Sequence, residues 1–293
     1  MLKLKEILKI IYAKYLSNNI KKKLFLLIKK LYIPKKYYHH LHFEGFFRET
    51  FMNKSFYIYS LPTIIENTIF WEGIEKGYEQ LTLKCWYFIC KKSDQVFDIG
   101  SNTGIFILIS HIANEKSQKH SFDPSKKFIY AQEKIKQKNN INLVINNYAL
   151  GDYEGKINFD GYQVYKDNKL NTKNEVVEIK KLSKYVKNNN IIIKENDSIK
   201  IDIEHFEYYV LKDIINIIKK KKPNILVEIL TDKEADLINK ILKDIDYSIF
   251  LIDDKREKIL KTNKIKKSLY RNVLLLNKKY EHEFNENFKK FLI

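Results

Sequence analysis

The stretch Gln95-Val96-Phe97-Asp98-Ile99-Gly100-Ser101-Asn102-Thr103-Gly104-Ile105-Phe106, QVFDIGSNTGIF, decides how the rest of this chain is read. A short apolar run ends near a carboxylate, and two glycines follow, four residues apart. The chain has only eight glycines in 293 residues, so a pair this close is a local requirement rather than a habit of composition. A glycine at position 100 lets the backbone bend sharply and lets a ligand come close to it. Gly104 falls where a helix would begin, and its missing side chain permits tight packing of helix against strand. Asn102 stands where many nucleotide-binding loops carry a middle glycine, and asparagine tolerates the left-handed conformation. The stretch therefore reads as strand, turn and helix.

The same alternation continues outward. Candidate strands lie at 95–99, 119–122, 142–150, 198–203, 224–230, 246–252 and 270–277, with candidate helices at 103–115, 125–138, 206–221 and 232–244. The runs INLVI, NILVEIL and NVLLL are nearly unbroken apolar segments, as expected of strands buried on both faces. This predicts an α/β fold: a doubly wound, mostly parallel sheet of seven strands. Between the elements, 166–174 is a polar loop, and the chain from Glu281 reads as a short terminal helix. In such a sheet, ligands bind beyond the carboxyl ends of the strands, at the topological switch point. Asp98 and Gly100 fall there.

Spacing then narrows the ligand. No G-x-x-x-x-G-K-[ST] is present, and G-x-x-x-G is not the G-x-G-x-x-G of dinucleotide folds. Asp123, in HSFDPS, closes the next strand about 20 residues past the loop, where a carboxylate accepts hydrogen bonds from both hydroxyls of a ribose. Pro124 suits the first turn of a helix, and Asp123 would serve equally as a plain N-cap. Together the two motifs predict a nucleoside-type ligand.

Composition bounds the partners. The formal net charge is +18 and the pI about 9.4, which suits RNA or an anionic membrane. Yet arginine occurs only at Arg48, Arg256 and Arg271. Phosphate and guanine readout favours arginine, so nucleic acid is not the indicated partner. A lysine-, asparagine- and isoleucine-rich source genome would produce the same charge. Cys85 and Cys90 suit free buried thiols in a reducing cytoplasm, not a disulfide framework or a zinc site. A cytoplasmic location is expected, with peripheral membrane contact through the basic N-terminal helices as the alternative. The N-terminal apolar runs are broken by lysines, so they match neither a signal peptide nor a spanning helix. Residues 1–35 read as one or two basic amphipathic helices, with Leu4, Leu8, Ile11 and Tyr15 at helical spacing and a second segment running to Ile33. Such helices lie on a membrane surface or pack on the domain with their lysines in water. His39, His40 and His42 cluster without obvious acidic partners, and no metal site is expected from them.

These residues resemble a known family. DIGSNTG resembles the first motif of class I S-adenosylmethionine-dependent methyltransferases, and the chain as a whole resembles the FkbM-type members. The segments that match, in order, are IFWEGIEKGYE (69–79), VFDIGSNTG (96–104), SFDPS (121–125), NNYALGDYEGKINF (146–159) and IKIDIEHFEYYVLKD (199–213), with VEIL (227–230) and RNVLLLN (271–277). The resemblance covers residues 69–277. With the pattern outside that span, the expected organisation is a basic, helical N-terminal extension and pocket-covering segment at 1–80, a methyltransferase domain at 81–280, and a C-terminal helix at 281–293. Two positions depart from the family pattern: its second-strand glutamate is Asp123 here, and the glycine of its D-V-E-G-x-E is His205.

The resemblance implies S-adenosyl-L-methionine as cofactor. Asp98 would lie near its methionine end, and Gly100, Ser101, Asn102 and Gly104 would form the turn around it. Asp123 would hold the ribose, with Tyr148 and Ala149 edging the adenine. Asp202 and Glu204, at the end of the fourth strand, would take the proton of an acceptor hydroxyl. His205 and Glu228 are further pocket residues, whereas His111 and His120 read as structural. Phe70, Trp71 and Tyr78, before Glu79, would either cover the pocket or belong to the core. The expected reaction is methylation of a hydroxyl on a sugar, a glycan or another small molecule, without a metal. RNA methylation is one alternative; a non-catalytic membrane-surface adaptor on an inactive methyltransferase fold is another.

Overall fold

The computed structural model describes residues 16–30, 41–161, 164–165, 175–267 and 271–293. Residues 1–15, with Leu4, Leu8, Ile11 and Tyr15, lie outside this set, as do His39, His40 and the loop 166–174. The chain divides into two compact units, Met1–Tyr78 and Glu79–Ile293.

The first unit is not wholly helical. Helix α1 (Asn18–Lys30) is followed by a hairpin of β1 (Gly45–Phe51) and β2 (Lys54–Ser60), then by α2 (Ile64–Glu72) and the single turn α3 (Ile74–Gly77). The hairpin turns on Met52 and Asn53, whose φ angles of 49° and 63° are those of a two-residue primed turn. Met-Asn is not the Asn-Gly signature, so the hairpin was absent from the sequence reading. Aromatic burial holds the unit together: the Phe25 ring lies 5.4 Å from Trp71 and 6.1 Å from Phe43, and Phe70 lies 5.0 Å from both Phe43 and Trp71. Phe70 and Trp71 are therefore core residues of this unit.

The second unit opens with α4 (Gln80–Cys90), then β3 (Gln95–Ile99), α5 (Ile105–Ala113), β4 (Gln118–Phe122), α6 (Lys126–Asn139) and β5 (Leu143–Asn146). Strands β6 (Ala149–Gly151), β7 (Gly155–Phe159), β8 (Val164–Tyr165) and β9 (Glu175–Lys181) form a separate four-stranded sheet in the order β6-β9-β7-β8. Helix α7 (Leu182–Asn188), β10 (Ser198–Ile201), α8 (Glu207–Asp213), α9 (Ile215–Lys221), β11 (Asn224–Glu228) and α10 (Asp232–Leu242) come next. The chain ends with β12 (Tyr247–Asp253), β13 (Lys258–Thr262), β14 (Asn272–Asn277) and α11 (Glu281–Phe288).

The main sheet has eight strands, not seven, in the order β13-β12-β14-β11-β10-β3-β4-β5. The additional strand is β13, which folds back on β12 as an antiparallel edge hairpin; its half-exposed, lysine-bearing sequence hid it from a search for buried runs. Strands β5, β4, β3, β10 and β11 are parallel. Strand β14 runs antiparallel to β11 and β12. Residues 142–150 are not one strand: β5 ends at Asn146, and β6 belongs to the smaller sheet. The span 206–221 breaks at Ile214 into α8 and α9.

Strand alternation sorts the core into two layers. Phe97, Ile99, Ile199, Ile201, Ile225 and Val227 point into one, with Val210, Leu211 and Ile218 of the helices. Asp98 and Lys200 point to the other face, as cross-strand neighbours. After β3 the chain continues to β4, whereas β10 pairs on the other side of β3. The switch point therefore lies between the carboxyl ends of β3 and β10.

Candidate active site

The turn after β3 is built around two glycines for distinct steric reasons. Gly100 has φ +77°, and a Cβ there would sit 1.7 Å from the Asp202 carbonyl oxygen. Its missing side chain thus makes room for the end of β10, where the sequence suggested room for a ligand. Gly104 has φ +91° and precedes α5; a Cβ would lie 2.6 Å from the Ile135 Cδ1 of α6. Its close neighbour is a second helix, where the sequence suggested a strand. Asn102 adopts φ 48°, as its residue type allowed.

Asp123 ties this turn down. Its Oδ2 accepts the Asn102 N–H at 2.8 Å, and its Oδ1 accepts the Ser125 N–H, also at 2.8 Å. The N-cap of α6 is Ser125, so Asp123 holds the loop in front of the helix and is not its plain cap. Gln132 of α6 adds a second anchor, donating to the Ser101 Oγ at 2.9 Å and to the Asn102 carbonyl at 2.6 Å. The Asn147 amide donates to the carbonyls of Asp123 and Pro124. Each Asp123 oxygen receives one amide proton and retains a lone pair. Burial pushes its pKa up to about 7, against the pull of the two backbone donors, and the Asp98 charge pushes in the same direction.

Beside the turn lies the residue that the sequence reading missed. Lys200, in the middle of β10, is 5% exposed along its side chain. Its Nζ lies 3.0 Å from the Asp202 Oδ2, 3.8 Å from the Asp98 Oδ1 and 4.5 Å from the centre of the Phe106 ring. Burial pulls its pKa down, but the charges of Asp202 and Asp98 outweigh it and hold the ammonium ionised. The available signal was a single cation inside a four-residue buried strand, Ser198-Ile199-Lys200-Ile201, in register with Asp98.

Asp98 is fully buried, and neither of its oxygens receives a hydrogen bond. Burial raises its pKa to about 6 despite Lys200. A buried carboxylate without donors is costly unless something else satisfies it. Asp98, the Gly100–Gly104 turn, Asp123, Lys200 and Asp202 thus converge on one place. These residues fit a nucleoside-bearing ligand with a cationic end: Asp98 offers a buried carboxylate that has the Lys200 ammonium 3.8 Å away but no hydrogen bond to either oxygen, and Asp123 offers free lone pairs.

More acids ring the same place. Glu228, at the end of β11, is buried, and its Oε2 receives no hydrogen bond. Burial first, then the charges of Asp202, Glu204 and Glu79, push its pKa up to about 9. Arg271 lies 3.7 Å from the other oxygen, but its side chain is 73% exposed, so solvent screening leaves the acids in control. Burial and Asp202 also raise the pKa of Glu204, against the pull of His205 and Arg271. Glu204 and His205 are exposed residues with φ 54° and 79°. His205 thus occupies a left-handed position that glycine adopts without strain.

Two loops at this end of the sheet are closed by glutamates. The Glu207 Oε1 accepts the Ile203 N–H at 2.8 Å, and the Glu234 Oε2 accepts the Leu230 N–H at 3.4 Å while the Thr231 Oγ1 caps α10 by accepting the Glu234 N–H at 3.1 Å. The Glu207 pKa rises well above the ordinary carboxyl range, through burial and through the facing Glu234.

Ala149 is buried in β6 among Ile157, Phe159, Ile179 and Phe206. Tyr148 packs on Phe122, with the Lys180 ammonium 4.3 Å from its ring centre. His120 shares hydrogen bonds with Tyr185 and Gln95, and burial lowers its pKa to about 4. Cys85 and Cys90 are free and buried. Among the described residues, no group of three or more His, Cys, Asp or Glu side chains is arranged to hold a metal ion.

A family model described as the methyltransferase FkbM domain matches residues 98–249, more than half of the chain and all of this site except Glu79 and Arg271. The chain belongs to the FkbM methyltransferase family. Members of this family use S-adenosylmethionine. No curated protein matches the chain. Among solved structures, it is similar to a methyltransferase FkbM from Methylobacillus flagellatus KT, with 17% identity, a TM-score of 0.44, and coverage of 64% of this chain and 44% of that one. It is also similar to the Pyrococcus abyssi tRNA (uracil-54, C5)-methyltransferase, with 10% identity, a TM-score of 0.40, and coverage of 79% and 44%. A third is the O-methyltransferase TomG from Streptomyces achromogenes, with 6% identity, a TM-score of 0.39, and coverage of 67% and 79%. The chain thus spans less than half the length of the first two.

Proposed function

We propose that this FkbM-family protein is an S-adenosylmethionine-dependent O-methyltransferase acting on a hydroxyl of a sugar, a glycan or another small molecule. The observation that carries this reading is the donorless, buried Asp98 carboxylate beside a glycine turn anchored by Asp123. When bound, S-adenosylmethionine supplies an electrophilic methyl group on a positively charged sulfur. Asp98 would face the cationic end of the cofactor, Asp123 its ribose, and the backbone of Gly100, Ser101 and Asn102 its flank.

Asp202 and Glu204 stand on the acceptor side. A carboxylate there takes the proton of the attacking hydroxyl, which contributes about 10²–10⁴-fold. Lys200 orients Asp202 through the 3.0 Å contact and keeps the acid cluster from repelling itself apart. Burial and the neighbouring acids favour the protonated form of Glu228, so on this reading it would offer a hydrogen bond to the acceptor and leave the role of base to Asp202 or Glu204. The family's association with sugar modification favours a sugar hydroxyl.

The test uses S-adenosylmethionine with an isotopic methyl label and a panel of free sugars, aminosugars and phenols. Label found on oxygen of a panel member, and lost in Asp202→Asn, supports the reading. Label found on nitrogen, carbon or nucleic acid alone overturns it.

A further inference from the structure

Helix α1, NNIKKKLFLLIKK, carries five lysines and no acid. One side of it is docked. Phe25 is fully buried against Phe43, Phe70 and Trp71, and Lys22 and Lys29 donate to the carbonyls of Phe46 and Phe70. At about 100° per residue, Phe25, Lys29 and Lys22 share that side.

The opposite side carries Ile20, Leu24 and Leu27, spaced i, i+4 and i+7, and these are 52%, 42% and 61% exposed. Large aliphatic side chains aligned on one open stripe are not scattered surface residues. Lys23 and Lys30 border the stripe on one flank and Lys21 on the other, by the same helical geometry. The packed face fixes the helix, so the stripe and its lysines are presented together.

We propose that α1 is a docking face for an anionic lipid surface, with Ile20, Leu24 and Leu27 entering the headgroup–acyl boundary and the flanking lysines meeting acidic headgroups. Apolar face in, lysines at the rim, is the arrangement of helices that lie in a membrane interface. Length agrees with lying and not spanning: 13 residues of helix extend about 20 Å, and no helix among the described residues is long and apolar enough to cross a membrane. A second copy of the chain is a poorer occupant, because pairing two such stripes would bring lysine flanks of like charge together without any acid in either helix. The inference is independent of the proposed methyl transfer.

The test is sedimentation of the full-length chain with phosphatidylcholine vesicles, with and without phosphatidylglycerol. The wild type should partition onto the mixed vesicles and stay in solution with phosphatidylcholine alone, and added salt should weaken the binding. Leu24→Ser with Leu27→Ser should weaken partitioning at least tenfold, since two leucines no longer enter the interface. Lys23→Gln with Lys30→Gln should weaken it by about fivefold per lysine. All four positions are exposed, and circular dichroism and a thermal melt confirm that each variant is folded. The inference is overturned if the wild type ignores the mixed vesicles, or if the leucine variant binds them as the wild type does. It is also overturned if the leucine variant only turns a dimer into a monomer, or if the lysine variant loses affinity for RNA alone.

Discussion

Lys200→Met removes the one buried cation from the acid cluster while keeping its volume and its contact with Phe106. Removing one partner of a buried ion pair costs about 3–5 kcal/mol, because the other charge is left uncompensated. Two carboxylates depend on Lys200, but unequally. The Asp202 side chain is 26% exposed and can turn to water, whereas Asp98 is fully buried. The expected loss is therefore near the low end, about 3 kcal/mol at about pH 7.5. The loss should depend on pH in a definite direction. The pKa of Asp98 is already raised to about 6, and it rises further without the ammonium. A carboxyl with a raised folded-state pKa contributes stability below its unfolded pKa of about 3.9 and loses it as pH climbs through the folded value. The deficit of Lys200→Met should thus be small near pH 4 and grow as pH climbs through and beyond the folded value. Urea denaturation followed by Trp86 fluorescence measures it: Trp86 is buried and donates to the Phe106 carbonyl at 2.9 Å, and a Trp71→Phe background removes the signal of the other unit. Adding Asp98→Asn should restore about 2 kcal/mol, a coupling that two independent sites would not show. A cost below about 1 kcal/mol at every pH, or strict additivity of the two changes, would refute the reasoning.

Gly100→Ala places a Cβ 1.7 Å from the Asp202 carbonyl at φ +77°, so it should destabilise the domain by about 3 kcal/mol, read as a fall in the urea midpoint. Glu207→Gln removes the need to keep a proton beside Glu234. The wild type loses stability as pH rises from about 4.5 through the raised pKa, so the variant should melt higher than the wild type at alkaline pH and no higher near pH 5. His205→Gly relieves a side chain held at φ 79°, and after the added entropy of the unfolded chain should gain about 0.5 kcal/mol, a rise in Tm of about 1–2 °C. A fall in Tm would mean that the imidazole makes contacts worth more than the strain.

Two strands of the main sheet were legible as apolar runs buried on both faces, β11 and β14, and the glycine pair marked the turn at the switch point. The run INLVI of β5 is not so buried, since Val144 is exposed, and β4 and β10 bury Lys119 and Lys200. Elements with one face in water lacked that signature. The β1–β2 hairpin turns on Met52 and Asn53, β13 sets Ile259 and Leu260 between lysines, β6 is only three residues long, and β7 and β9 are partly exposed. Asp98, Asp123 and Asp202 were readable as carboxylates at strand ends. Lys200 was not, since a lysine in a lysine-rich chain looks like surface until its register with Asp98 is known. The partner of Gly100 was equally hidden, because the Asp202 carbonyl approaches from a strand about 100 residues away in sequence.

Calorimetric titration of S-adenosylmethionine into the full-length chain bears most directly on the site. The account predicts saturable one-to-one binding, weakened at least tenfold by Asp98→Asn and by Asp123→Asn, with both variants folded. Absence of binding by the folded wild type, or affinity unchanged in both variants, would contradict it.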